Sequence, residues 1–199
     1  MDIRIILKEG SILAIRVYID QGHNPVSPNS GAEGNGYREQ DLVYTIGVLT
    51  AELLRADPDF EVRLSRPSED TQLGVSNADS LRQRVDDANA WGADVFLSLH
   101  NNASSSPTVS GLEGLVYQRP GTSADIAEVL LTSLAQTTGL RNRGVVVRPG
   151  LYVLRRTAMP AVLLELGFIS NPSDAALLAG SPELFAQGIY QGLSNYYGV

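Results

Sequence analysis

The feature that most constrains this chain is a regular alternation of short apolar runs with longer stretches whose apolar residues recur every three or four positions. Val95-Phe96-Leu97-Ser98-Leu99 is almost continuously apolar, the pattern of a strand covered on both faces. Leu13 to Ile19 and Ala161 to Leu164 read the same way. Glu61–Leu64, Gly114–Tyr117, Val145–Val147 and Leu151–Leu154 are shorter strand candidates. Between them, Leu42, Ile46, Leu49 and Leu53 mark a helix. So do Leu81, Val85, Ala88 and Trp91; then Ile126, Val129, Leu130 and Leu134; and finally Leu184, Phe185, Ile189 and Leu193. Ser123 suits the N-cap of the third helix and Gly139 its end. The two periods together predict an α/β sheet sandwiched between helices. With 199 residues and no linker or repeat, one domain over 1–199 is expected. Ile3–Leu7, within residues 1–12, offers one extra N-terminal strand. Asp20–Tyr37 and Ser65–Asp79 are polar and read as loops.

Charge and cysteine content remove several function classes. With 15 Lys+Arg against 22 Asp+Glu, the formal charge is −7, which argues against nucleic acid as a partner. The chain has no cysteine, so disulfides, zinc–thiolate sites, iron–sulfur clusters and a cysteine nucleophile are excluded. No apolar run reaches the length of a membrane span. The N-terminus is a poor signal peptide, because Asp2 stands where a basic stretch belongs and Lys8-Glu9-Gly10 interrupts the apolar run.

The only two histidines, His23 and His100, each lie just past the carboxyl end of an apolar strand, where open α/β sheets bind ligands. Glu165 ends the strand Val162-Leu163-Leu164 within an apolar stretch, where an ionised carboxylate is costly unless it is paired or metal-bound. Glu39 sits where the Gly-rich loop enters a helix, a position that also suits a helix-dipole charge. Two neutral imidazoles and one carboxylate make a ligand set that suits zinc, with water in an open fourth position. A further carboxylate would accept a proton from that water. The G-x-x-G-x-G of Gly31–Gly36 precedes no phosphate-loop Lys-Ser/Thr and reads as a loop. Ser98 and Ser170 lack a G-x-S-x-G setting.

These residues fall into ordered motifs. Val17-Tyr18-Ile19-Asp20-Gln21-Gly22-His23 is followed by Gly31-Ala32 and Gly36-Tyr37-Arg38-Glu39. Next come Leu81 and Arg84 with Ala88-Asn89 and Ala93-Asp94, then Phe96-Leu97-Ser98-Leu99-His100-Asn101-Asn102-Ala103. Val153-Leu154-Arg155, Pro160 to Leu163 and Glu165-Leu166-Gly167-Phe168-Ile169-Ser170-Asn171 close the series. In this order, from Arg16 to Tyr197, the chain resembles the zinc-dependent N-acetylmuramoyl-L-alanine amidases of the type-3 group, which cleave bacterial peptidoglycan. The resemblance implies a single α/β domain with a mostly parallel twisted sheet flanked by helices on both faces. It implies that His23, Glu39 and His100 bind one zinc ion and that Glu165 is the catalytic carboxylate.

The expected substrate is peptidoglycan, cleaved between the lactyl group of muramic acid and the L-alanine of the stem peptide. Asn24, Asn102 and Arg155 are expected substrate contacts, and the chain is expected to be a monomer. Asn24 stands where the family has Gly, and the loop Ser65–Asp79 is longer than usual, so both are expected to edge the cleft. The expected setting is the bacterial cell wall, reached by a phage-endolysin type of release or as a domain cut from a larger exported protein. Two other readings share the same residues: a non-catalytic peptidoglycan-binding module, and a zinc peptidase or deacylase of other specificity.

Overall fold

In the computed structural model, which describes residues 14–199, strand β1 (Ile15–Gln21) pairs in parallel with β4 (Phe60–Leu64) on one side and β5 (Val95–Asn102) on the other. The expected strand at 3–7 and Leu13 lie outside the described residues. Beyond β5 the sheet continues through β8 (Ala161–Phe168), β6 (Leu112–Val116) and β7 (Asn142–Val147), giving the order β4-β1-β5-β8-β6-β7. β5 and β8 are parallel, β8 and β6 antiparallel, and β6 and β7 parallel to each other. The sheet is therefore mostly parallel, with an inverted pair at one edge.

The period-two alternation sorts the strand residues onto two faces. Val17 and Ile19 of β1, Val95, Leu97 and Leu99 of β5, and Val162, Leu164 and Leu166 of β8 point to one face. There they meet α1 (Glu39–Arg55), α3 (Thr122–Thr138) and α6 (Pro182–Tyr197). The other face carries Tyr18, Phe96, Leu115, Ala161 and Leu163, under α2 (Asn77–Trp91) and α4 (Tyr152–Arg156). Tyr18 stacks on Phe96 at 5.5 Å between centroids, and its hydroxyl donates to Asp87 at 2.9 Å. By the same alternation Asp20, Ser98, His100, Glu165 and Glu113 belong to this second face, at the carboxyl ends of β1, β5 and β8 and the amino end of β6.

Most predicted elements appear within a residue or two. Leu151–Leu154 is not a strand: Tyr152–Arg156 is a single helical turn that buries Val153 and Leu154. A short apolar run fits either conformation, and packing against α2 and β8 decides it. Ser123 is not the N-cap of α3. Gly121 holds that position, and Ser123 Oγ accepts from Ala161 N at 3.1 Å. The loop 20–38 contains a hairpin, β2 (Glu33–Gly34) with β3 (Tyr37–Arg38). It docks on the end of β8, where Asn35 Nδ2 donates to Ile169 O at 2.8 Å. Past β8, α5 (Pro172–Gly180) is capped by Asn171 Oδ1, which accepts from Ser173 N and Asp174 N. Buried Asp174 accepts from Phe168 N, Gly111 N and Ser110 Oγ, tying the end of β8 to the approach to β6.

Helices α3 and α6 meet at glycines. A Cβ on Gly188 would stand 2.9 Å from Leu134 Cα, and one on Gly192 3.0 Å from Leu130 Cα. A side chain at either point forces the two backbones apart. Gly188→Val should destabilise the fold by ~2 kcal/mol, a fall of about 4–8 °C in Tm for a chain of this size. Gly180→Ala, whose Cβ meets nothing within 4 Å, should hold or raise Tm. Thermal melts of the two variants beside wild type read both outcomes.

Candidate metal centre and active site

The strand order reverses direction between β1 and β5. β1 connects outward through α1 to β4, whereas β5 leads toward β6. The carboxyl ends of these two strands therefore frame a crevice, the position at which doubly wound sheets bind ligands. His23 follows β1 and His100 lies in the last turn of β5. Glu39 opens α1, whose loop passes over the crevice.

The three side chains converge. His23 Nε2 and His100 Nδ1 lie 3.1 and 3.0 Å from Glu39 Oε1 and 3.1 Å from each other. One atom from each could serve a single cation, and all such atoms lie within 4.8 Å of one another. Ligands at 2.0–2.1 Å around a tetrahedral zinc sit ~3.3 Å apart, so this triangle is nearly one face of that tetrahedron. Three lone-pair donors facing inward at these distances fit a divalent cation; two imidazoles and a carboxylate suit zinc better than calcium or magnesium.

The surroundings fix each ligand. Glu39 Oε2 accepts from Ala32 N and Oε1 from Asn101 N, both at 2.9 Å. Burial raises its pKa, but the hydrogen bonds and charges of His100 and His23 outweigh burial and hold it well below the usual carboxylate range. Two glycines make room for the rings. A Cβ on Gly22 would lie 2.5 Å from His100 Cε1, and one on Gly31 2.8 Å from Glu39 Cβ and 3.0 Å from His23 Cδ2. Neither glycine is a candidate from composition or periodicity, since its role is only to be small.

Beneath the ligands lies a buried charge network. Arg84 of α2 is 1% exposed. Its Nη1 donates to Asp20 Oδ1 and to Gln21 O at 2.6 Å, and its Nη2 to His23 O and to Asn24 Oδ1 at 3.2 Å. Ser98 Oγ donates to the other oxygen of Asp20 at 2.7 Å. Burial raises the Asp20 pKa, and the opposing Arg84 charge and the Ser98 hydrogen bond bring it below its ordinary value. His23 itself takes φ 66, in the left-handed region, which costs a non-glycine residue about 1 kcal/mol or more. The Arg84 contact to its carbonyl holds that conformation.

Glu165 is the register partner of His100 across β5 and β8. Its Oε2 is buried and has no hydrogen-bond partner among the described residues. Burial, then the charges of Glu39 and Glu113, push its pKa up to about 8. A carboxyl in this position is an acid awaiting either a cation or a proton acceptor.

The expected substrate contacts fare differently. Asn24 is fully buried. Its Nδ2 donates to Pro28 O and Leu73 O, and its Oδ1 accepts from Leu73 N as well as Arg84. With its polar atoms occupied in this way, it pins the loop after β4 to the His23 turn, and the expectation that it edges the cleft is corrected. Arg155 lies in α4, before the amino end of β8, where Ala161 is level with Phe96, four residues short of His100. The structure does not bring it to the cluster. Asn102 stands two residues past His100 in β5, and its Nδ2 donates to Glu113 Oε2 at 3.3 Å.

Two outcomes follow from these contacts. Lysine at position 84 keeps the charge but cannot reach Asp20, Gln21 O and His23 O together. Arg84→Lys should weaken the binding of a divalent cation at the His23–Glu39–His100 cluster ~10–100-fold, read by competition titration with a chelator on folded protein. In metal-free protein, Glu165 ionises at a higher pH folded than unfolded, where its pKa is ~4.3. The folded state then binds the extra proton, and stability falls as pH rises between those values. The Tm advantage of Glu165→Gln over wild type should widen from pH 5 to pH 8; a constant gap would remove the buried acid from the account.

Residues 17–195 match the profile of the family described as N-acetylmuramoyl-L-alanine amidase (Amidase_3). Among relatives, N-acetylmuramoyl-L-alanine amidase CwlM of Bacillus licheniformis is 36% identical over 185 residues, 91% of this chain and 66% of that protein. N-acetylmuramoyl-L-alanine amidase LytC of Bacillus subtilis is 38% identical over 186 residues, 91% of this chain but 35% of LytC. The chain thus spans just under two thirds of one relative and about a third of the other. The solved catalytic domain of CwlV, an N-acetylmuramoyl-L-alanine amidase from Bacillus (Paenibacillus) polymyxa var. colistinus, superposes with a TM-score of 0.81 at 35% identity, covering 93% of this chain and 99% of that one. Matched over nearly its whole described length, the chain belongs to the N-acetylmuramoyl-L-alanine amidase family.

Proposed function

We propose that this chain hydrolyses the amide bond between the lactyl group of N-acetylmuramic acid and the L-alanine of the stem peptide in the bacterial cell wall. The observation that carries the reading is the inward triangle of His23 Nε2, Glu39 Oε1 and His100 Nδ1 on a sheet face shared with Glu165, whose buried Oε2 has no hydrogen-bond partner among the described residues. His23, Glu39 and His100 would hold zinc. Bound there, zinc supplies a Lewis acid that polarises the amide carbonyl and acidifies a water molecule.

The chain's own residues do the rest. Glu39 brings one negative charge, fixed by two backbone amides, so the ligand set does not rearrange during the reaction. Glu165 is held by β8 on the face that carries His100. A cation nearby favours its ionised form against burial and the charges of Glu39 and Glu113. As a carboxylate, Glu165 takes the proton of the attacking water. It then gives that proton to the departing alanine nitrogen, since an amine anion is too basic to leave. The raised pKa of the metal-free carboxyl supports both halves of this role, because the group tolerates the protonated state. Intact ligands and Glu165 together favour an enzyme over a non-catalytic binding module on the same fold.

Replacing His23 or His100 by Ala should abolish stoichiometric zinc while the fold survives on its apolar core. Metal analysis beside a thermal melt reads this, and full zinc occupancy in either variant would overturn the ligand set. Glu165→Gln should keep zinc and bind peptidoglycan but release L-alanine amino termini from purified walls at least about a hundredfold more slowly. New reducing ends in place of amino termini would point to a different bond. Near-wild-type release by zinc-loaded Glu165→Gln would take Glu165 out of the chemistry.

A further inference from the structure

Glu113, on the inverted strand β6, is the register partner of Glu165. The two carboxylates share one sheet face, and Glu113 is among the charges that raise the Glu165 pKa. Glu113 is itself fully engaged. Its Oε1 accepts from Arg143 Nε at 2.6 Å and its Oε2 from Asn102 Nδ2 at 3.3 Å. Its side chain is 15% exposed and that of Arg143 31%.

Arg143 reaches this position through an irregularity in β7. Leu112 pairs with Asn142 and Gly114 with Val145, so Arg143 and Gly144 both stand opposite Glu113. Gly144 takes φ 91, which only glycine adopts easily. A bulge of this kind re-aims a side chain. The Arg143 guanidinium carbon lies 5.3 Å from the centre of the Phe168 ring, and Nη1 donates to Ser110 O at 3.3 Å. Glu113 takes Nε, and no acceptor among the described residues lies within hydrogen-bond reach of Nη2. The guanidinium is thus fixed on one edge and open on another.

We infer that Arg143 is a specificity-determining residue that binds a free carboxylate on the peptide side of the scissile bond. This deepens the amidase reading and rests on it. Glu113 engages only the Nε edge of the Arg143 guanidinium, and Nη2 is left for a second anionic group. Arg143 is a cation fixed beside Glu113, and its planar fork suits carboxylate. The spacing fits as well. Glu113 lies one strand spacing, ~5 Å, from Glu165, Arg143 Nε lies 2.6 Å from Glu113 Oε1, and an extended peptide advances ~7 Å in two residues. The second residue of the stem, a γ-linked D-glutamate, has its α-carboxyl at that range. In stems where that carboxyl is amidated, the charge is gone. Asn102 and Glu113 are positioning residues in this arrangement.

The test compares two soluble muramyl tripeptides that differ only in whether the α-carboxyl of the D-glutamate is free or amidated. The zinc-loaded protein should cleave the free acid with a kcat/KM about tenfold higher, the low end for a charged hydrogen bond at a partly exposed site. In Arg143→Ala the ratio between the two substrates should fall to about one, and Arg143→Lys should keep an intermediate ratio. An Arg143 that only neutralises Glu113 would lower both substrates alike and keep the ratio. A wild-type ratio near one, or an unchanged ratio in Arg143→Ala, overturns the inference. Calorimetric binding of both tripeptides to zinc-loaded Glu165→Gln reads the same preference without turnover. A binding preference for the free acid with no cleavage of either substrate by wild type would overturn the amidase reading and uphold this one.

Discussion

The site depends first on the buried pair of Arg84 and Asp20. A guanidinium and a carboxylate taken wholly out of water are expensive to bury, and here each oxygen of Asp20 and most of the guanidinium donors are used. Their return is geometric. The last residues of β1 must stop being a strand, and His23 must enter the left-handed region for its ring to face Glu39. Those residues leave carbonyls with no ladder partner, which water would otherwise claim. Arg84 replaces that water with donors on a helix, and so connects the metal ligands to the packing of α2 on the sheet. An apolar residue of equal volume would satisfy the core and leave the turn undefined.

Much of this arrangement is legible in the sequence because chemistry and position coincide there. With two histidines in the chain, both after apolar strands, the pairing of β1 and β5 is nearly enough to bring them together. Glu165 stands out for the opposite reason, as a charge in an apolar run. Arg84, by contrast, is one of two arginines on an amphipathic helix, and its burial becomes visible only once α2 is placed. Asn24 shows the same limit from the other side. It looks like a residue beside a metal because it follows His23, yet the chain turns it inward to fasten the loop at Leu73. Arg155 is misleading in sequence because closeness along the chain to Glu165 is not closeness in space: ten residues before the glutamate lead to the far end of the strand. The hairpin β2–β3 and the single turn α4 are too short to carry a period at all.

The electrostatics of the crevice follow from which charges can be neutralised locally. Glu39 is stabilised by backbone amides and two imidazoles, so it stays ionised. Glu113 is matched by Arg143 and Asn102. Glu165 Oε2 has no such partner among the described residues, so the charge state of this carboxyl is left to the contents of the site. Three carboxylates of one crevice are thereby held in different charge environments by their neighbours alone.

The inverted pair at the sheet edge divides the site along a seam. Parallel strands β1 and β5 bring their carboxyl ends, with His23 just after β1, His100 within β5 and Glu39 at the start of α1. β6 and β7 run the other way, so they bring their beginnings, preceded by residues 103–111 and 139–141. β8 alone belongs to both halves. Substitutions in residues 139–141, which enter β7, can reshape that edge of the crevice without touching a segment that bears His23, Glu39 or His100. The half that carries His23, Glu39 and His100 and the half that carries Glu113 and Arg143 are free to diverge at different rates, joined by the one strand that carries Glu165.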